Sequence, residues 1–139
     1  MTIKPLIRRA NYYETDQMGI IHHSNYIRWF EEARVHYMEQ IGYGYEKAVE
    51  QGIDFGVLNV YCEYKAMVRF NDIVSINVSV AELTNMKIIL KYEITNTKTG
   101  ELCTTGKTQH FFFDNKRQRP VSLRKEMPKL FELFESLIG

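Results

Sequence analysis

The 139-residue chain is 45% hydrophobic and 25% charged, with a formal net charge of +1. That balance fits one folded domain, residues 1–139, and excludes a disordered tail or a global field that would recruit nucleic acid or an anionic membrane. Cys62 and Cys103 have no paired spacing, the amino terminus lacks the apolar block of a secretion signal, and no apolar run is long enough for a bilayer, so a cytoplasmic protein is expected.

In chain order, Ile3 to Tyr13 reads as a short β-like segment. The pattern then turns helical from Asn25 to Ile41, where Tyr26, Ile27, Trp29, Phe30, Ala33, Tyr37, Met38 and Ile41 form a broad apolar stripe. Ser24 suits the N-cap and Gly42 the position after the C-cap. Downstream the period becomes two. Val57 to Phe70, Val74 to Val80, Met86 to Ile94 and Leu102 to Phe113 read as four strands. Asn71-Asp72, Thr84-Asn85 and Asn96 to Gly100 supply turns short enough for antiparallel neighbours. Pro128 fits the first position of a short helix running to Ile138. One broad apolar helix beside a long antiparallel sheet implies an α+β arrangement in which a curved sheet wraps the helix. Such a sheet leaves an edge strand uncovered, which predicts a homodimer or homotetramer.

Between the first strand and the helix lies Tyr12-Tyr13-Glu14-Thr15-Asp16-Gln17-Met18-Gly19-Ile20-Ile21-His22-His23-Ser24-Asn25-Tyr26. A carboxylate at Asp16 would sit beside a helix entry, where unpaired N–H groups favour negative charge. Gly19 permits a backbone conformation that other residues resist. On residue types alone the plainer reading is favoured: Asp16 caps a turn, Gly19 bends it, and the histidines are solvated. His23 precedes the cap and is placed to fold back toward Asp16, whereas His22 reads as a surface or packing histidine. His36 and His110 have no evident partner. No His-Glu-x-x-His, Cys/His spacing, Gly-x-Ser-x-Gly elbow or phosphate-binding glycine loop is present, so neither a metal nor a cofactor is expected.

This stretch, with Trp29-Phe30-Glu31-Glu32-Ala33-Arg34 and Gly42, resembles the signature of hotdog-fold acyl-CoA thioesterases. The similar groups are the 4-hydroxybenzoyl-CoA thioesterase-like and Tol–Pal-associated enzymes. The resemblance continues through Val60-Tyr-Cys-Glu-Tyr64 and Arg69-Phe-Asn-Asp-Ile73, and it reverses the preference for a merely structural Asp16. It implies a hotdog fold, and Asp16 as the catalytic carboxylate. It also implies His23 and Tyr12 as groups that orient substrate or water, and Gly19, Asn25 and Tyr26 as substrate-binding residues. Gly56 or Val57 would supply the backbone donor to the thioester carbonyl. The doubled His22-His23 departs from both groups.

The implied activity is hydrolysis of an acyl-CoA, or of an acyl carrier protein thioester, with Asp16 as nucleophile or general base. A hotdog dehydratase and a binding module that holds acyl thioesters without turnover are the alternatives. Lys65, Arg69, Lys87, Lys91, Lys107, Arg117, Arg119, Arg124 and Lys125 are the cations available to the coenzyme's phosphates. A nucleic-acid reader, suggested by His110-Phe-Phe-Phe-Asp-Asn-Lys-Arg-Gln-Arg119, lacks the RNA-recognition signature and a basic charge. Those phenylalanines are expected on the inner face of the sheet.

Overall fold

Helix α1, Ser24–Gln40, is the element around which the rest is arranged in this computed structural model, which describes all 139 residues. Tyr26, Trp29, Phe30, Ala33 and Tyr37 share its inward face and are buried, while Ile27 and Val35 of the same helix are exposed. Each large side chain buried this way contributes about 1.5–3 kcal/mol. Ile41 closes the helix, and Gly42 follows at φ +85°, the left-handed conformation that a C′ glycine adopts without strain.

The sheet is antiparallel, in the order β1 (Leu6–Arg9), β3 (Ile73–Leu83), β4 (Lys87–Asn96), β5 (Leu102–Asp114) and β2 (Ile53–Tyr64), with the short β6 (Arg119–Pro120) against the end of β5. The inner face of β3, β4 and β5 presents Val74, Ile76, Val80, Ile88, Leu90, Ile94 and Phe112, all buried in one apolar core. Register shifts at Val57/Asn59 and Val80/Glu82 are bulges, which bend a sheet toward its partner layer. Gly106 of β5 lets the helix approach closely, because a Cβ there would run into the ring of Phe30. Phe30 in turn stacks on Tyr92 of β4 at 4.4 Å between centroids. Helix α4 (Pro128–Ser136) begins with Pro128 as expected and buries Leu130, Phe131 and Phe134. This is the wrapped-helix, hotdog arrangement. No helix is long and apolar enough to cross a membrane.

Several expected boundaries move. The first strand is only four residues long and gives way to a 3₁₀ turn at Tyr12–Glu14. Ser24 is the first helical residue and not the cap; His23 occupies the cap position in helical conformation with no side-chain capping bond. The strand expected over Val57 to Phe70 starts at Ile53 and stops at Tyr64, because it lies at the sheet edge and its chain turns away at Lys65. Its alternation does not translate into a buried face: Val57, Leu58, Val60, Tyr61 and Tyr64 are all exposed. Two short helices, α2 (Tyr45–Gln51) and α3 (Leu123–Glu126), were not expected at all. In the phenylalanine run, Phe112 is buried, whereas Phe111 and Phe113 alternate to the other face and pack edge to face at 6.0 Å.

Candidate active site

The loop ahead of α1 is pinned at both of its ends. Thr15 and Ile21 form a bridge, the Asp16 N–H donates to the Ile20 carbonyl at 2.8 Å, and the Gly19 N–H donates to the Asp16 carbonyl at 3.0 Å. Gly19 takes φ +78°, so the tight turn requires a residue without the Cβ penalty. The returning arm is tied to the chain beyond β2, since Ile21 N–H donates to the Val68 carbonyl at 2.8 Å and Ile20 bridges Arg69.

Glu14, which sequence reasoning passed over, anchors this loop to the helix. Its buried carboxylate accepts from Arg8 at 2.9 Å, from Trp29 Nε1 at 2.8 Å and from the Asn11 N–H at 2.9 Å. Its carbonyl accepts from the His22 N–H at 2.8 Å and from Asn25 Nδ2 at 2.9 Å. Burial opposes the charge, but the hydrogen bonds from Arg8, Trp29 and Asn11 together outweigh it and hold the carboxyl below its ordinary range. Arg8 also lies 4.6 Å from the Trp29 ring centroid and pairs with Glu32 at 2.9 Å. An acid two positions before Asp16, flanked by tyrosine and threonine, carries no local signal. Its partners come from β1 and from a full helical turn inside α1.

Asp16 is half-buried and lines a cleft of about 350 Å³ with Ile20, Ile21, His23, Tyr26, Tyr64, Lys65, Ala66 and Met67. One carboxylate oxygen accepts from the Met18 N–H at 2.8 Å, closing an Asx turn, and the other has no partner within the chain. The plain reading and the chemical one therefore hold at once: Asp16 caps its turn and also faces a cleft. Tyr26 forms the floor with its ring 5.1 Å from that of Tyr64, and burial pushes its hydroxyl up to about 12, so it stays a phenol at neutral pH. The Tyr64 hydroxyl donates to the His23 carbonyl at 3.2 Å, joining the end of β2 to the helix entry. Lys65 is paired with Glu63 at 2.6 Å on the exposed rim.

The two histidines stack at 4.1 Å but differ in role. His23 reaches the cleft. His22 is held locally at the helix start: its Nδ1 accepts from the Ser24 N–H at 3.1 Å and meets Ser24 Oγ at 2.9 Å. Tyr12 does not reach the cleft; it is exposed, with its ring edge-on to Phe70 at 5.5 Å. Gly19 shapes the loop without lining the cleft, and Asn25 is buried with its amide committed to Glu14. Gly56 and Val57 stand far along β2. The seven positions from Val57 to Tyr64 span about 23 Å at 3.3 Å per residue.

Residues 11–131 match the thioesterase-like superfamily. A protein of Aquifex aeolicus named "Putative esterase" is 35% identical over 120 residues, covering 86% of this chain and 91% of its own. An acyl-CoA thioesterase, YbgC, of Haemophilus influenzae is 22% identical over 124 residues, covering 88% and 90%. The crystal structure of a DHNA-CoA thioesterase from Staphylococcus aureus superimposes with a TM-score of 0.88 at 33% identity, covering 96% of this chain and 89% of that one. These matches establish that the chain belongs to the thioesterase-like superfamily.

Proposed function

We propose that the protein hydrolyses acyl-CoA thioesters to the free carboxylic acid and coenzyme A, with Asp16 as the reacting carboxylate. The observation that carries this reading is the Asp16 oxygen without a protein partner, facing a largely apolar cleft that His23 also lines. A thioester carbonyl is electrophilic and its thiolate leaves readily, so an oriented carboxylate and a few donors suffice. In one route Asp16 attacks the carbonyl carbon, the C–S bond breaks, and water hydrolyses the resulting anhydride. In the other Asp16 takes a proton from a water that attacks directly, and His23 orients that water. Single turnover in ¹⁸O-water places label in the Asp16 side chain only if the anhydride forms and water attacks it at the Asp16 carbonyl, so label found there establishes the first route. Asp16→Asn is expected to reduce thiol release from acyl-CoA by about 100-fold or more, in line with loss of a general base or nucleophile. Turnover at the wild-type rate by a folded Asp16→Asn protein would refute the assignment.

Gly56 and Val57 fit this reading only in a dimer. They lie at the far end of β2 from Tyr64, and β2 is an edge strand with five exposed apolar side chains. Antiparallel pairing of β2 with its copy would bring residues near position 56 of one subunit beside Tyr64 of the other, completing each cleft with the partner's backbone. A monomeric mass by light scattering at micromolar concentration would contradict that arrangement. Two unpaired cysteines and the lack of a membrane-crossing helix agree with a cytoplasmic enzyme, and recovery of the protein in a membrane fraction would argue otherwise.

A further inference from the structure

All but one of the four histidines have their rings tied to the chain by a hydrogen bond. His110 Nε2 meets Thr108 Oγ1 at 2.7 Å, at the end of a buried string that runs from Arg34 through the Tyr92 hydroxyl at 3.2 Å and on to Thr108 at 2.6 Å. His36 Nδ1 meets the Gln40 amide at 3.1 Å, and His22 Nδ1 takes the Ser24 N–H. The exception is His23, the one histidine that lines the cleft. Its backbone is fixed: the dihedrals are helical, and the carbonyl accepts from the Tyr64 hydroxyl at 3.2 Å and from the Tyr26 N–H at 3.4 Å. These are its only side-chain or carbonyl bonds, so neither ring nitrogen has a partner within the chain.

A ring on a fixed backbone still turns about its side-chain bonds between staggered positions. His23 is exposed, so no surrounding core restricts that rotation. What lies against it is the ring of His22, at 4.1 Å between centroids and 29° between planes. His22 is half-buried and cannot follow a rotation of its neighbour, because its Nδ1 is held by the Ser24 N–H at 3.1 Å and by Ser24 Oγ at 2.9 Å. Accepting from a backbone N–H also fixes the His22 tautomer, with the ring proton on Nε2. A pinned ring thus backs an otherwise mobile one, and His22 itself does not line the cleft.

We propose that His22 is a positioning residue, whose pinned ring holds the His23 imidazole in the orientation that presents it to the Asp16 cleft. The inference rests on the reading of His23 as the group that orients water, and it gives the second histidine of the doubled pair a part in the reaction without contact to substrate. A stacked aromatic pair favours the held orientation by about 3- to 10-fold.

The test follows thiol release from acyl-CoA together with the His23 ring protons by NMR. His22→Asn keeps an acceptor for the Ser24 N–H but removes the ring, and kcat is expected to fall by about 3- to 10-fold with KM unchanged. In the same variant the His23 ring protons, shielded in the wild type by the ring current of His22, are expected to move downfield. His22→Phe restores a ring to stack against and is expected to recover most of the lost kcat. In His23→Ala, itself slower than the wild type, adding His22→Asn is expected to cost nothing further, since a residue that acts through His23 then has nothing to act on. Unshifted His23 ring protons or unchanged kcat in His22→Asn would each overturn the proposal. So would no recovery in His22→Phe, or a loss from His22→Asn that persists undiminished in His23→Ala. The NMR comparison needs no turnover, so it decides the stack even in an inactive variant. A slow His23→Ala beside an unaffected His22→Asn sinks this inference and leaves the hydrolase reading standing, whereas wild-type turnover in His23→Ala overturns the reading of His23 and this inference with it.

Discussion

Glu14 and Asp16 are two carboxylates two positions apart with opposite fates. Asp16 lines the cleft with one oxygen unpartnered, and Glu14 spends both of its oxygens inside the protein. Glu14→Ala would leave Trp29 Nε1 buried without an acceptor and Arg8 without its most buried partner. Breaking a buried pair from one side typically destabilises by about 3–5 kcal/mol, and Glu32 still holds Arg8, so about 3 kcal/mol is expected from urea unfolding. Because the same residue fixes the loop, turnover in Glu14→Ala should fall even at temperatures where the protein stays folded. Wild-type unfolding and turnover would show that the network does not hold the loop. That Asp16, His23 and Tyr26 line one cleft was legible only through the resemblance, since residue types alone favoured a plain turn there. Glu14 was not, since its meaning lies in partners at Arg8 and Trp29 that only the fold brings together. Asn25 was seen, but its amide is committed to Glu14 and not to the cleft.

Among the elements, α1 was readable to within a residue because its apolar stripe and its terminating glycine point to the same boundaries. Helix α2 was missed although Gly44 and Gly52 punctuate it, since none of its seven residues is buried and no stripe marks it. The opposite error occurred at β2, where alternation of apolar and polar residues is real but the strand is an edge that α1 does not cover. Alternation reports a pleated strand and is silent about which neighbour supplies the cover. Gly106 tests how tightly helix and sheet are coupled. Gly106→Ala forces a methyl group against Phe30, and overpacking of this kind destabilises by about 1–3 kcal/mol. For a domain of this size a drop in Tm of several degrees is expected by calorimetry. An unchanged Tm would mean that Phe30 moves aside freely and that helix and sheet are not in rigid contact.

Across the whole molecule, the string from Arg34 through Tyr92 and Thr108 to His110 places a fully buried imidazole between the strands. Burial, and then the Arg34 charge, push His110 down to about 4, against an ordinary value of 6.5. The neutral ring is therefore the native form, and protonation is easier in the unfolded chain. Above pH 6.5 neither state is charged and His110 adds no pH dependence. As the pH falls from 6.5 toward 4 the unfolded state binds the proton first, so stability declines through that window by about 2 kcal/mol between pH 7 and pH 5. Glu14 and Asp114 act elsewhere. Their carboxyls lie below ordinary values, so the stability they contribute is present above about pH 4 to 4.5 and is lost only as the pH falls through their lowered folded values. Urea unfolding at pH 7 and pH 5 should show the decline in the wild type and its absence in His110→Gln, which keeps a polar group beside Thr108 without a proton to gain. If the variant declines as steeply as the wild type, the acid sensitivity belongs to groups outside the string, and His110 is merely packed.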